Sequence, residues 1–386
     1  MVNCFRVFGR STFGRRVSGR LEWVGALGCL IASAYFGSAH AAPPSPGPLG
    51  VVWEAALTET DPYDSAVKTL LQAYESSVAV PLRPGDRGQV GLKVNTRAGR
   101  GLSTPPALLK AVITELEARG YRRESIFILD ESARALRQAG ILPPLSHRAT
   151  DFFGCRVIAL DQGSHYDPEW YYDSPLPPTM QQEPRLIFGE TSQSRSLEAG
   201  DRARKSFLPM PLMFEVDFWI NLAVGVDDPA LGVDGVLASA TLWNVSNSHR
   251  FLGNPATASA AVAEIAAIPE LRERMILHFV SLERYQYIGG PFFKSLYSRS
   301  EPKLWLSSDP VALDRLLLDR MNAARLYEGF PEISPLPRQL SFAASLGLGE
   351  FQRSRIRIQA LETSSQGREI EGATGPAISS GTKVQQ

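Results

Sequence analysis

Cysteine and histidine are scarce in this chain of 386 residues, and neither sign of charge is in excess. The sequence has three cysteines and five histidines, against 40 basic and 40 acidic side chains. Two of the cysteines fall in an N-terminal stretch that we expect to be removed, so that only Cys155 remains, as a buried and inert thiol. A single cysteine excludes an intramolecular disulfide, an iron–sulfur cluster and a cysteine-based metal site. The balanced charge lacks the basic excess of a nucleic-acid-binding domain.

Signatures of common enzyme classes are also missing. The sequence has neither a Walker loop nor a Gly-x-Gly-x-x-Gly fingerprint, and the Gly-x-Ser-x-Gly elbow of many hydrolases is absent. Beyond the N-terminal stretch the histidines are His147, His165, His249 and His278, and no pair has the spacing of metal ligands. His249 could line a crevice, but a place in a surface loop is the favoured interpretation.

Residues 1–41 predict a secretory signal peptide. Five arginines precede the apolar stretch 23–38, which ends in Ala39-His40-Ala41. A basic start, a short apolar core and a small-x-small site are typical of a cleaved signal. A transmembrane anchor is the alternative, but the stretch is short and rich in Gly, Ala and Ser. Cleavage removes five arginines and one glutamate from the balanced totals and leaves an exported protein of net charge −4. N-terminal sequencing of the native protein can check this expectation.

The rest of the chain divides by composition. A Pro-rich linker at 42–50 leads into one predicted domain at 51–362, and residues 363–386 lack apolar periodicity and predict a disordered tail. Within the domain, residues 162–210 are aromatic, Pro-rich and irregular, which indicates an insertion that forms a lid or a small antiparallel subdomain.

Strand and helix signals alternate through the domain. Strand patterns at 89–94 and 125–130 flank a helix that we expect Thr104 to cap and Pro105 to begin, and which ends at Gly120. Further strands are predicted at 155–161, 216–224 and from 303, and Asn254 and Asp309 each precede a Pro that opens a helix. This order predicts an α/β fold with a mostly parallel sheet and Rossmann-like layers of flanking helices.

The loop after the first of these strands predicts a binding site for an anion. Ligands of open α/β sheets bind beyond the carboxyl ends of the strands, and a helix N-terminus attracts negative charge. Gly99 and Gly101 would let the backbone approach a ligand. The candidate ligand-binding residues of this segment are Asn95, Arg97, Arg100, Ser103 and Thr104. Lys93 and Asp130 are the candidate catalytic pair, with an acid–base or electrostatic role.

Structural alternatives stand beside these assignments. Arg97 and Arg100 could be solvated loop charges, and Lys93 could simply pair with Asp130. Asp130, Asp161 and Asp309 each follow a predicted strand, so a parallel sheet would bring them to one edge, where carboxylates suit Mg²⁺ or Ca²⁺. A divalent cation is therefore possible, although capping the next helix explains Asp309 by itself.

Six short motifs resemble the family called domain of unknown function 362. In chain order they are Lys93-Val94-Asn95, Thr104-Pro105, Asp130-Glu131-Ser132, the stretch 217–222 of Asp-x-x-Ile-Asn-Leu type, Gly290-Pro291, and the stretch 307–314 of Ser-x-Asp-Pro-Val-Ala-x-Asp type. The resemblance begins near residue 63 and runs to about residue 321, which is about two thirds of the chain. With these motifs Asn221, Asn244 and Asp309 join the ligand-binding candidates.

The resemblance implies an exported α/β protein but no particular reaction. A Lys-x-His cluster that is usual in the family is missing after residue 222, Trp243-Asn244 stands where a Lys-Asn pair is expected, and the ferredoxin-like segment of some members is absent. The sequence therefore favours a protein that binds a small anionic molecule. The alternatives are a non-catalytic binding or assembly module that has lost family lysines, and a divalent-metal-binding protein.

Overall fold

A computed structural model describes residues 47–59, 63–146, 150–173 and 204–362. The predicted signal peptide, most of the Pro-rich linker, the centre of the insertion, His147 and the predicted tail lie outside the described residues. Among the described ranges, no helix combines the length and the apolar character that crossing a bilayer requires.

Nine strands form the main sheet. In spatial order they are β15 (Arg357–Leu361), β1 (Val51–Ala56), β14 (Lys303–Ser307), β11 (Met275–Ser281), β8 (Phe218–Ala223), β2 (Val90–Val94), β3 (Ile126–Asp130), β5 (Cys155–Ala159) and β4 (Asp151–Phe152). Five of the eight pairings are parallel, and the antiparallel ones are those of β14 with both neighbours and of β4 with β5. The mixed, mostly parallel sheet with flanking helices confirms the predicted α/β fold.

Two smaller sheets accompany it. One consists of β10 (Gly232–Asp234), β9 (Val226–Asp228), β12 (Tyr285–Gln286) and β13 (Ser298–Arg299). The other is an antiparallel ribbon of β6 (Tyr166–Asp173) and β7 (Lys205–Pro209), which bracket the centre of the insertion. Aromatic side chains of this ribbon pack locally, since the Tyr171 and Phe207 ring centroids lie 6.3 Å apart.

Helices cover both faces of the main sheet. They are α1 (Asp64–Val78), α2 (Pro106–Ala118), α3 (Ala133–Gln138), α4 (Val236–Ala240), α5 (Pro255–Ala266), α6 (Pro269–Arg272), α7 (Pro310–Tyr327) and α8 (Arg338–Ser345). One apolar cluster joins α1 and α2 to one face, while α5, α7 and α8 pack on the other. The alternation of side chains along β2 directs Leu92 to the first face and Lys93 to the second.

The predicted βαβ unit is present, but its helix begins differently. Strands β2 and β3 are parallel neighbours joined through α2, as expected. Thr104 was expected to cap this helix, and that expectation is wrong: Pro105 is the N-cap, Pro106 is the first helical residue, and no side chain caps them. Asn254 and Asp309 do cap their helices, by accepting from the backbone N–H groups of Ala256 and Ala312.

Candidate functional site

The loop after β2 is closed by Asn95 and Thr104. The Thr104 N–H donates to the Asn95 carbonyl at 2.8 Å, and the Asn95 N–H donates to Thr104 Oγ1 at 2.8 Å. Thr104 Oγ1 donates in turn to the Leu222 carbonyl at 2.5 Å, which ties the loop to β8. Thr104 therefore anchors the loop instead of capping the helix, because its hydroxyl hydrogen is engaged across the sheet edge.

Lys93 and Asp130 form a buried ion pair. Lys93 Nζ lies 2.7 Å from Asp130 Oδ1 and 2.5 Å from the Val94 carbonyl oxygen. Asp130 also accepts from the N–H and hydroxyl of Thr96 and from the N–H of Glu131. Lys93 is completely buried and Asp130 is 3% exposed. The structural pairing suggested by the sequence is present, whereas an acid–base role for these two residues stays a prediction.

Arg97 turns inward, toward a tryptophan and a buried carboxylate. The guanidinium carbon of Arg97 lies 3.6 Å from the centroid of the Trp243 ring, and its Nε lies 3.6 Å from Asp234 Oδ2. Trp243 Nε1 donates to the other oxygen, Asp234 Oδ1, at 2.8 Å. Neither Arg97 Nε nor Asp234 Oδ2 has a hydrogen-bond partner in the described part of the chain. Stacking on Trp243 thus holds Arg97 in place without a close ion pair.

Burial perturbs two carboxyl groups behind this loop. Asp234 is 1% exposed, and burial raises its pKa to about 7, against the opposing effect of Arg97. Asp314 is completely buried, and its pKa is also raised to about 7 by burial, although it accepts from the N–H groups of Val236 and Leu237. Asp314 therefore supports the start of α4, and Asp234 is a buried carboxyl group that can be protonated near neutral pH.

A row of buried polar residues crosses the sheet below the loop. Lys93, Asn221, His278 and Ser307 are register partners on adjacent strands, and all four are completely buried. Asn221 donates to the Val236 carbonyl and accepts from the Ser239 hydroxyl. Burial lowers the pKa of His278 to about 3. Asn221 thus connects this row of the sheet to α4.

Two other ligand-binding candidates lie in different surroundings. Asn244 is completely buried, and its Nδ2 donates to the Ser239 carbonyl at 3.2 Å. Asp309 accepts from the N–H groups of Ala312, Gly50 and Glu350. Asp309 therefore caps α7 and also holds the backbone at Gly50 and at Glu350 against the start of that helix.

The expectation that Asp130, Asp161 and Asp309 share one edge is wrong. Strand β14 is antiparallel to β11, which is parallel to β8, so β14 ends at the opposite edge from β2 and β3. Asp309, which follows β14, therefore lies away from Asp130. Asp161 does lie at the same edge as Asp130, because it follows β5, which is parallel to β3, but it is exposed and accepts from the Ala133 N–H. In the parts of the chain that the structure describes, no group of three or more His, Cys, Asp or Glu side chains has the arrangement of a metal site.

A small pocket lies where the loop after β2 meets the start of α2. Its volume is about 180 Å³, and it is lined by Arg100, Gly101, Leu102, Ser103, Thr104, Pro105, Pro106, Ala139, Val224, Ser281, Glu283 and Arg284. Val224 follows β8 and Ser281 ends β11, so the pocket lies at the carboxyl ends of parallel strands. This is the position at which open α/β sheets bind their ligands.

Glycine shapes the wall of this pocket. Gly99 has a φ of +96°, which only glycine adopts readily, and a Cβ on Gly101 would lie 1.9 Å from Phe293 Cδ1. Gly101 therefore permits a second loop to pack against the first, a contact reinforced by the Phe293 N–H donating to the Ala98 carbonyl. The close approach expected for a ligand at Gly101 is taken by this aromatic ring.

The pocket displays charged groups of both signs. Arg100 is exposed and makes no hydrogen bond or ion pair with the described residues. Arg284 donates to the Gly101 carbonyl at 2.9 Å. Glu283 Oε2 accepts from the Tyr63 hydroxyl at 2.6 Å, and that hydroxyl lies 2.7 Å from Ser281 Oγ. Within the described ranges, none of these three charged side chains forms an ion pair.

The structure thus divides the predicted site residues into separate places. Arg100, Ser103 and Thr104 border the pocket, with Ser103 donating to the Gly99 carbonyl, whereas Arg97 faces Trp243. His249, exposed on a 3-10 turn, does not border the pocket.

Sequence reasoning missed Glu283 and Arg284. They lie about 180 residues from the loop, as the separation of 183 between Arg284 and Gly101 shows. The available signal was the Glu-Arg pair directly after the apolar run 275–282.

Neither protein-family models nor curated proteins provide a relative of this chain. No protein-family model matches the chain, and no curated protein shows significant similarity to it. Membership of the domain of unknown function 362 family therefore stays a prediction from the six motifs.

Proposed function

We propose that this protein binds a small anionic molecule in the pocket at the start of α2. One observation carries the proposal: Arg100 and Arg284 both border this pocket, and neither forms an ion pair in the described part of the chain. Guanidinium groups pair with carboxylate and phosphate oxygens through two parallel hydrogen bonds. Two such groups beside one small pocket favour an anionic ligand.

The start of α2 adds to the attraction. This helix has 13 residues, and no side chain caps its first turn. Pro105 and Pro106 carry no N–H, so the attraction here comes from the helix dipole, which favours negative charge at the N-terminus. Ser103 and Thr104 also border the pocket, but their hydroxyl hydrogens are donated to the Gly99 and Leu222 carbonyls. The helix start would therefore assist the arginines in holding an anionic group.

The buried ion pair of Lys93 and Asp130 fits a role in positioning the binding loop better than a catalytic role. Lys93 and Asp130 do not border the pocket, and both are engaged with each other and with backbone groups. Their contacts fix the beginning of the loop that carries Arg100. We therefore assign the pair a positioning role in the proposed binding function, within an exported protein of the family that the six motifs suggest.

A thermal-shift screen of the full chain tests the proposal. Phosphate, sulfate, acetate, succinate and citrate are compared, and at least one should raise the melting temperature. A ligand at one hundred times its Kd stabilises a protein by about 2.7 kcal/mol. The shift should shrink with added salt, because exposed charges are screened.

Substitution of one arginine localises the effect. Arg100→Ala should reduce the shift without lowering the melting temperature of the free protein, because Arg100 makes no contact that the fold requires. Arg122→Ala, at an exposed arginine away from the pocket, is the matched control and should keep the full response. An unchanged melting temperature across the whole panel contradicts the proposal.

A further inference from the structure

Glu283 is an unusual side chain for a pocket that binds only an anion. Glu283 is exposed and lines the same 180 Å³ pocket as Arg100 and Arg284. A negative charge at this place would repel a purely anionic ligand and weaken the arginine contacts. A cationic group on the ligand would instead be attracted to this carboxylate.

The position of Glu283 is fixed by a hydrogen-bond chain. The Tyr63 hydroxyl donates to Glu283 Oε2 at 2.6 Å and lies 2.7 Å from Ser281 Oγ. The Glu283 N–H also donates to Ser281 Oγ, at 3.2 Å. These contacts hold the carboxylate at the mouth of the pocket, since Tyr63 and Ser281 are themselves buried.

The opposite charges of the pocket do not neutralise each other. Glu283 forms no ion pair with Arg100 or Arg284, although all three residues line the same pocket. None of the three forms an ion pair with any other residue that the structure describes. Arg284 is instead held by the Gly101 carbonyl, and Glu283 by Tyr63. The Arg284 guanidinium thus lies at the loop that carries Arg100, whereas the Glu283 carboxylate lies beside Tyr63 and Ser281.

Resting on the proposed function, we infer that the ligand is a small zwitterion of the amino-acid type. Its anionic group would lie toward Arg100, Arg284 and the start of α2, and its ammonium group toward Glu283. A cavity of roughly 150 Å³ is enough to hold benzene, so 180 Å³ suits a ligand of about ten heavy atoms or fewer. Drug-sized and nucleotide-sized ligands need pockets of about 300 Å³ or more.

The test compares ligands that differ only in the amino group. Isothermal titration calorimetry with the full chain uses alanine against propionate, aspartate against succinate, and glutamate against glutarate. We expect at least one amino acid to bind tenfold or more tightly than its partner without the amino group. Equal or weaker binding of all three amino acids overturns this inference.

Glu283→Gln locates the recognition of the ammonium group. The variant should lose the tenfold preference and should bind the plain carboxylates as tightly as the wild type or more tightly. Glu332→Gln, at an exposed glutamate that does not border the pocket, is the matched control and should keep the preference. A preference that survives Glu283→Gln also contradicts the inference. If Glu283→Gln does not fold, the wild-type comparison of paired ligands still decides.

The outcomes separate the two proposals. Plain carboxylates that bind while amino acids gain nothing would leave anion binding intact and refute the zwitterion. Absence of binding by every carboxylate and amino acid, together with a negative anion screen, would refute both.

Discussion

The stability of this protein should respond to the charge of one buried side chain, Asp234. Burial raises its pKa to about 7 from the usual value of 3.8. Below pH 4 the carboxyl group is protonated in the folded and unfolded states alike. Between pH 4 and 7 the folded state holds a proton that the unfolded state has released. The contribution of Asp234 to stability is therefore fully present at low pH and is lost as the pH rises through 7.

The size of the effect follows from the shift in pKa. Each unit corresponds to about 1.4 kcal/mol, so a shift of roughly three units amounts to on the order of 4 kcal/mol. Asp234→Asn removes the titration, since the amide stays neutral. Its oxygen can still accept from Trp243 Nε1, which now donates to Asp234 at 2.8 Å. The free energy of unfolding of the variant, relative to that of the wild type, should therefore increase by on the order of 4 kcal/mol as the pH rises from 4 to 8.

Urea unfolding of both proteins at pH 4, 6 and 8 measures this change. His278, whose pKa burial lowers to about 3, and Asp314 titrate in both proteins, so they largely cancel in the difference. The amide of the variant also faces Arg97 Nε, and the free-energy cost of that contact does not depend on pH. The informative quantity is therefore the change with pH of the difference in unfolding free energy between the two proteins. Asp161→Asn, which removes an exposed carboxylate, is the control. A difference in unfolding free energy that stays constant from pH 4 to 8 would refute the reasoning.

Two further predictions concern stability. Lys93→Met should cost about 3–5 kcal/mol in urea unfolding, because it leaves the Asp130 carboxylate buried without its counter-charge; a loss below 1 kcal/mol would show that the pair is dispensable. Asp309→Ala should cost clearly more than Asn254→Ala, because Asp309 accepts three backbone N–H groups from separate segments, whereas Asn254 caps one exposed helix start. An ordinary N-cap is worth about 1 kcal/mol, so equal losses for the two variants would contradict the fastening role of Asp309. Anion-induced thermal shifts should be unchanged in Asp309→Ala, since it lies at the opposite edge of the sheet.

Local signals predicted the elements of this fold better than their directions. The strands around 90 and 126, the helix between them, and the caps at Asn254 and Asp309 were predicted because hydrophobic periodicity and the Asn-Pro and Asp-Pro steps mark them within a few residues. Strand β14 has the same local pattern as the strands that pair in parallel. Its direction depends on the edge at which the chain enters the sheet after β11. The residues near β14 in the sequence carry no signal for that edge. The shared carboxylate site failed for this reason.

The candidate site was predicted in part, also for a physical reason. Arg97 and Arg100 lie three residues apart in one loop, and the sequence assigned them the same ligand. The structure separates them, because Trp243 provides a stacking surface for Arg97 on the inner side of the loop. Trp243 is about 150 residues away along the chain, so its effect on the direction of Arg97 could not be inferred from the loop itself.

The division of the loop also accounts for the form of the pocket. With Arg97 held against Trp243, and Lys93 against Asp130, two of the three nearby cations are already engaged inside the protein. Arg100 is the remaining one, and it lines the pocket together with Glu283 and Arg284, which follow β11. The charges available to a ligand are thus the positive charge of Arg100 in the loop and, from the segment after β11, the negative charge of Glu283 and the positive charge of Arg284. A pocket built in this way suits a ligand with an anionic group and an ammonium group better than a multiply charged anion. Among the ligands of the screen, citrate should therefore bind no more tightly than succinate.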